Sequence, residues 1–385
     1  MAVYKRGKTW TARVFWRDQQ NKRHSHSKGG FRTKKEAMDY WTDMDSKHNK
    51  GVNIGENPEF VEYFWQCYEV FNKPNCRYET RRSYKTAKGP LEDYWGHTKI
   101  KEITPTMWQG FLNKLGKHYA KSSVKSFHKK YHSAIRHAIQ DGIIVSDFTY
   151  GTNITGTTKR TRYDKVQLPS LSHIQEILNK LLERRSPYLM SAKDITFYGR
   201  KVGLDKGNIC DYVLALQIIT GVRIGEALGL RWRDLHPQNF SIDIHHSYNS
   251  DIHKLGPTKN KASYRTITVN PQIFPLLEEL RKHNHSEFVF GSPTTGLPPT
   301  SNATGDELRR VLELLKLPKD GFTTHTLRHA HVAILIHKKI DWYYIMHRLG
   351  HSNVKTTIDT YGYLIEETKQ IDEQQIIGLF KNAFA

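Results

Sequence analysis

Cysteine is nearly missing from this chain: Cys67, Cys76 and Cys210 are the only three in 385 residues. Three scattered thiols build neither a disulfide framework nor a cysteine-rich zinc site. No stretch approaches the roughly 18–20 unbroken apolar residues of a membrane span. Met1 to Lys8 holds no apolar h-region, so no secretory leader is expected and the cytoplasm is the expected compartment. Negative charge is also scarce, with 38 Asp+Glu against 59 Lys+Arg and a net charge of +21. Between Ile103 and Gln140 no acidic residue occurs at all. The remainder is globular, 37% hydrophobic and 11% aromatic, with length for two or three domains and no internal repeat. The basic residues recur in every region. That suits a long, wrapped polyanion better than a membrane surface, for which one amphipathic basic helix is the usual device. Nucleic acid is the expected partner, bound with release of its counterions.

Residues 1–50 carry 13 Lys/Arg against five Asp/Glu. Trp10 to Trp16 has the β-branched and aromatic content of a strand, Arg23 to Ser27 reads as a polar one, and Gly29-Gly30 as a turn. Thr33 then caps a helix, with Glu36 completing a capping box. The expected module is a small three-stranded sheet plus a helix with a thin core, its cations facing phosphates. Residues 57–150 read as a helical domain in which Phe60, Tyr63, Phe64, Cys67, Tyr68 and Phe71 recur at helical spacing and belong to the core. Its last helix places Lys121, Lys125, Lys129 and Arg136 on one stripe, with Val124, Phe127, Tyr131, Ile135 and Ala138 facing the other way. Like charges at i,i+4 repel, so the stripe makes sense lying along a phosphate backbone. Residues 151–167, rich in Gly, Thr and Asn, read as an extended linker. Residues 168–385 form the largest domain, mainly helical with a small antiparallel sheet near 241–270.

The chemistry belongs to that last domain. An apolar helix from Asp211 to Thr220 ends at Gly221 and leads into Val222-Arg223-Ile224-Gly225-Glu226. His325 and Arg328, three apart, share a helix face; His351 follows Leu349-Gly350 in a turn, and Tyr361 lies ten residues beyond it. Arginines grip phosphate in a bidentate way, and a phenol can act as a covalent nucleophile. Zinc does not fit His325, His329 and His331: no Glu completes a known catalytic spacing, and on a helix His331 points away from His329. The pairs His24/His26 and His245/His246 read as exposed or strand residues.

Arg223 within Thr-Gly-x-Arg-x-x-Glu, His325-x-x-Arg328, Leu349-Gly350-His351 and Tyr361 resemble, in order and spacing, the tyrosine recombinases, the phage-integrase type of site-specific DNA recombinase. The basic N-terminal module is similar to an arm-site DNA-binding domain, and the helical unit to the family's core-site binding domain. The resemblance implies that Tyr361 attacks the scissile phosphate to give a 3′-phosphotyrosyl bond, while Arg223 and Arg328 hold the non-bridging oxygens. It assigns the general acid to Lys259 within Pro257-Thr258-Lys259-Asn260-Lys261, Lys261 being the rival, and phosphate contacts or proton transfer to His325 and His351. Glu226 would support the helix that carries Arg223. Tyr363 stands where the family commonly has His, and is a possible decoy nucleophile. No metal, ATP or other cofactor is implied. The implied partners are core and arm DNA sites, further copies of the chain in a tetramer, and an excisionase or host DNA-bending protein; no membrane is involved. The apolar tail from Leu364 to Phe384 packs on its own domain or docks on a neighbouring protomer, with docking the favoured alternative. A type IB topoisomerase would have no use for the N-terminal module, and a Xer-type resolvase lacks it. A non-catalytic DNA-binding protein would leave the ordered Arg/Lys/His/Arg/His/Tyr set unexplained.

Overall fold

The computed structural model describes residues 2–17, 23–49, 56–157, 170–185, 208–258, 261–319 and 322–353, together with Lys355 and Ile358. The chain forms two compact units, Met1–Thr161 and Arg162–Ala385.

In the first unit, β1 (Ala2–Arg6), β2 (Thr9–Arg17) and β3 (Arg23–Phe31) make an antiparallel sheet in that order, followed by α1 (Lys34–Asn49). The expected turn at Gly29-Gly30 lies inside β3, next to a register shift between Trp10 and Ala12 of β2. A β-bulge absorbs the glycines without ending the strand. The core is as thin as expected, with Ala12, Val14 and Ala37 its fully buried apolar side chains. Thr33 Oγ1 accepts from Glu36 N, but Glu36 reaches one residue further back than a capping box requires and accepts from Arg32 N. Cations stand over rings on this sheet: Arg13 and Arg23 at 5.0 and 4.6 Å from Phe15, and Lys28 at 4.8 Å from Tyr40.

The helical part follows with α2 (Phe60–Cys67), α3 (Tyr78–Trp95), α4 (Pro105–His118) and α5 (Lys121–Gln140). Their inner faces enclose an aromatic core of Phe60, Phe64, Trp95, Trp108, Phe111, Tyr131 and Phe148. Phe71 departs from the expected core stripe and is 54% exposed, stacked on His137 with ring centroids 4.0 Å apart. The cause is a π-helical turn at Tyr68–Asn72, which adds a residue to the turn and rotates Phe71 off the buried face. On α5 the division into faces holds: Lys121, Lys125, Lys129 and Arg136 are exposed, and Val124, Phe127, Tyr131, Ile135 and Ala138 are buried.

The expected linker at 151–167 starts too early. Asp147 Oδ1 accepts from Thr149 N and Oγ1, and its Oδ2 meets His132 Nε2 at 2.9 Å. Asn153 N donates to Gln109 Oε1, and Thr157 pairs with Ala120 in a β-bridge. Gly156 lies so close to Lys121 that a Cβ would collide with its backbone. Side-chain amide and carboxylate bonds, invisible to a hydrophobic pattern, therefore hold the chain on α4 and α5 as far as Thr157; residues 158–167 lie outside the described residues.

In the second unit, α6 (Leu171–Arg184), α7 (Ile209–Thr220), α8 (Ile224–Leu228), α9 (Ile273–Arg281), α10 (Ser301–Leu314), α11 (Thr324–His337) and α12 (Trp342–Leu349) accompany a small sheet. That sheet has the order β4 (Leu235–His236), β5 (Ser241–Ile244), β8 (Arg265–Thr268), with a separate hairpin of β6 (His246–Asn249) and β7 (Lys254–Pro257). The architecture is the expected one: a mainly helical domain with a little antiparallel strand. Helix α7 is apolar nearly all round because α6, α10 and α11 all pack on it. It starts at Asn208, whose side chain closes a capping box with Asp211, and stops at Gly221 with φ +71°.

Two polar devices lie inside this unit. At the start of α7, Glu307 accepts from Arg184 Nη2 at 2.7 Å, Asn208 Nδ2 at 2.6 Å and Arg310 Nη1 at 3.0 Å. At the other end, His331 is buried against Gly221, its Nδ1–H donating to Ile218 O at 3.0 Å while Nε2 accepts from Arg348 Nε at 3.0 Å. Burial first, then Arg348, push the His331 pKa down to about 3.

Two outcomes are expected. Glu307→Ala takes the nearest carboxylate from the buried Arg184 guanidinium, leaving Asp211 at 3.7 Å, and equilibrium unfolding should show a loss of about 3–5 kcal/mol; a loss below about 1 kcal/mol would contradict a buried ionic anchor. His331 titrates near its ordinary 6.5 when unfolded and near 3 when folded, so its contribution is complete above about pH 6.5 and drains away as pH falls toward 3. His331→Gln keeps a donor and an acceptor but does not titrate. Its melting temperature should fall less steeply than wild type between about pH 7 and pH 4.5; parallel curves would refute the assignment.

Candidate active site

The end of α7 creates the first corner of the site. Gly221 is left-handed, and a Cβ there would lie 2.5 Å from the His331 ring, so the position excludes side chains on two counts. Two residues later Arg223 sits as the extended N-cap of α8. Its backbone N donates to Glu226 Oε2 at 3.0 Å and its Nη1 to Glu226 Oε1 at 2.8 Å. The Arg223 side chain keeps 29% of its surface open, so its remaining donors are available to an incoming anion.

Arg328 supplies the second corner and is itself only 1% exposed. Its Nη1 donates to Gly221 O and its Nη2 to Leu349 O, each at 2.7 Å, and Nη2 also meets His351 Nε2 at 3.2 Å. This guanidinium therefore ties the turn before Arg223 to the turn before His351. Because His351 Nε2 faces a donor, it accepts, and the imidazole is neutral with its proton on Nδ1. Burial, then Arg328, Arg223 and Arg265, lower the His351 pKa to about 4. His325 stands exposed in the first turn of α11, its ring 4.6 Å from that of His329. Desolvation, then Arg328 and Arg223, lower the His325 pKa as well.

The third corner is Gly350, left-handed at φ +67°, where a Cβ would come within 3.0 Å of Ser263 Cα and 3.1 Å of Arg265 Nη1. The glycine lets the end of α12 close onto the segment before β8. From β8, Arg265 Nη2 donates to Glu226 Oε2 at 2.9 Å, Nη1 to Ser263 O at 3.0 Å and Nε to Arg348 O at 2.6 Å. Arg348 answers across the same gap, its Nη1 donating to Thr268 O at 2.8 Å. Burial alone would raise the pKa of Glu226, but Arg265 most strongly, then Arg223 and Arg328, hold it below the ordinary carboxylate value. One buried carboxylate thus stands among three guanidiniums. The surplus positive charge suits an incoming anion, and after burial the same arginines help lower the pKa values of His325 and His351.

The structure brings Arg223, His325, Arg328 and His351 together. Lys259 and Tyr361 lie outside the described residues, as do the rival Tyr363 and the apolar tail. Lys121, Lys125, Lys129 and Arg136 belong to the other unit. Among the described residues no group of three His, Cys, Asp or Glu is placed to hold a metal, and no helix is long and apolar enough to cross a membrane. Arg265, Arg348 and His331 support the site without standing out in the sequence. The available signal is Arg265 on the same inward strand face as buried Ile267, and its distant partners lie 39 and 83 residues away.

The sequence profile of the phage integrase family matches residues 205–366, and that of an arm DNA-binding domain matches residues 2–47. The ICEBs1 integrase of Bacillus subtilis is 32% identical over 164 residues, 38% of this chain but only 42% of that protein. The integrase of Staphylococcus phage L54a is 26% identical over 305 residues, 72% of this chain and 84% of its own length. Among solved structures, the Tn1549 transposon integrase in complex with a circular intermediate DNA superposes with a TM-score of 0.64 at 19% identity, over 79% of this chain and 95% of that one. That likeness extends the expected fold to both units. Residues 205–366 carry the catalytic domain of the phage integrase family, and that stretch contains every catalytic candidate from Arg223 to Tyr361.

Proposed function

We propose that this protein is a site-specific DNA recombinase, an integrase that inserts a phage or mobile element into a chromosome and excises it again. The observation that carries the reading is the convergence of Arg223, Arg328 and His351 around Glu226, a phosphate cradle on a chain with a phenol ten residues downstream of His351.

In the proposed reaction the Tyr361 phenolic oxygen attacks the scissile phosphorus. The new O–P bond forms as the bond to the 5′-oxygen breaks, leaving a 3′-phosphotyrosyl link and a free 5′-hydroxyl. The phenolic proton passes to solvent water, Lys259 returns a proton to the leaving oxygen, and His351, whose Nε2 is taken by Arg328, donates from Nδ1 to a phosphate oxygen. Arg223, Arg328 and the exposed donor of His325 offset charge on the non-bridging oxygens of the transition state. The bond energy stays in the tyrosyl link, so rejoining needs neither ATP nor a metal. Each chain offers one such phenol and an exchange between two duplexes cuts four strands, so four copies act together on DNA.

Residues 1–50 are proposed to bind arm-type sites through the cations and rings of their sheet. The helical part, with its boundary moved to Thr157, would hold the core site through Lys121, Lys125, Lys129 and Arg136 on α5. Residues 168–385 carry catalysis. Reversal of the reaction would depend on a directionality factor or a DNA-bending host protein, and the working place would be the bacterial cytoplasm, at the nucleoid.

Incubating wild type with a nicked suicide duplex carrying the core site should trap a covalent protein–DNA adduct in the presence of EDTA. Tyr361→Phe should bind the duplex and form none, and Arg223→Ala should form it at least about a hundredfold more slowly. An adduct persisting in Tyr361→Phe would move the nucleophile, to Tyr363 first. The stripe on α5 has its own readout: Lys125→Gln and Lys129→Gln together should reduce the slope of log K against log salt for core-site binding by about 2. An unchanged slope would remove α5 from the phosphate backbone.

A further inference from the structure

Arg265 is a buried arginine with a different partner for each of its three nitrogens, and none of those partners is a surface group. Nη2 reaches Glu226 on α8, Nη1 reaches Ser263 in its own approach to β8, and Nε reaches the Arg348 carbonyl in the last turn of α12. Its side chain is 7% exposed, against 29% for Arg223 on the same carboxylate. The two arginines therefore divide Glu226 between them: Arg223 takes Oε1 with its guanidinium, and Arg265 takes Oε2, where the backbone N of Arg223 also donates. Glu226 cannot rotate without releasing one of them. Three residues beyond the Arg348 carbonyl stands His351, and at left-handed Gly350 between them a Cβ would crowd Ser263 Cα at 3.0 Å and Ala262 O and Arg265 Nη1 at 3.1 Å.

We propose that Arg265 is a positioning residue of the recombinase site, orienting Arg223 through the carboxylate they share and His351 through the Arg348 carbonyl. This rests on the recombinase reading given above. Arg265 touches no reacting atom in this arrangement; its fork sets where the charge of Arg223 points. A lysine could neutralise Glu226 but, as a single ammonium on a flexible stem, could not span the three acceptors in fixed geometry.

Charge on the phosphate separates this role from a general loss of structure, which would not sense it. If Arg265 acts by aiming Arg223, its loss matters while the scissile phosphate carries a negative charge to be offset. It matters far less when a methyl group replaces one non-bridging oxygen. Adduct formation is therefore measured on two nicked core-site duplexes, one with an ordinary phosphodiester and one with a methylphosphonate at the scissile position. The chains compared are full-length wild type, Arg265→Gln, Arg265→Lys and Arg223→Ala, with core-site affinity and melting temperature recorded beside each. Arg265→Gln and Arg265→Lys should slow the phosphodiester reaction by about tenfold or more and the methylphosphonate reaction by less than about threefold, and Arg223→Ala should show the same selectivity. Equal slowing on both duplexes would make Arg265 a purely structural residue and overturn the proposal, as would wild-type rates on both. Should Arg265→Gln melt below the assay temperature, the charge-conserving Arg265→Lys carries the comparison. Absence of any adduct from wild type would overturn the recombinase reading itself, a failure distinct from that of Arg265.

Discussion

The catalytic unit is organised around a carboxylate that does no chemistry. Glu226 is 3% exposed, a place where an ionised group is costly unless fully bonded, and it is ionised because guanidiniums surround it. Arg223 holds it from the beginning of α8 and Arg265 from β8, while Arg328 adds its field from α11. Three elements distant in sequence are drawn to one point by a single negative charge. Because that charge neutralises only one of the three, the site remains short of an anion. The cost of keeping cations close together without substrate is met by backbone carbonyls, those of Gly221, Leu349 and Ser263, which accept from arginines without cancelling their charge.

Much of this arrangement is legible in the sequence because the relevant signals are local. Gly221 and Gly350 end their helices in the left-handed region, and each marks a place where a turn delivers a functional residue within two positions. The two faces of α5 follow from helical spacing alone, since cations and apolar residues alternate at three and four. The features that escape are non-local. Arg265 reads as an ordinary strand residue until Glu226 and Arg348 are folded against it. His331 reads as one more imidazole on a histidine-rich helix until Ile218 and Arg348 fix its tautomer.

The other misreadings share a physical cause. A period of 3.6 residues places Phe71 in the core, but a single wide turn at Tyr68–Asn72 shifts the phase and turns the ring onto His137. A stretch of Gly, Thr and Asn looks like free linker from residue 151 on, yet its polar groups find Gln109, and its glycine fits flat against Lys121. Composition reports how much apolar surface a segment offers. It does not report hydrogen bonds that a nearby helix has ready.

In Arg328 one side chain carries both charge and scaffold. Its terminal nitrogens grip the two carbonyls that shape the turns leading to Arg223 and His351. Exchanging it for a neutral residue would leave two buried oxygens with no donor as well as removing a cation, so the damage could not be attributed to electrostatics alone. Over evolutionary time such a residue is locked by its surroundings. A different side chain would become tolerable only if both turns were rebuilt in the same step, so drift in this corner of the molecule should be confined to the outward-facing positions around it.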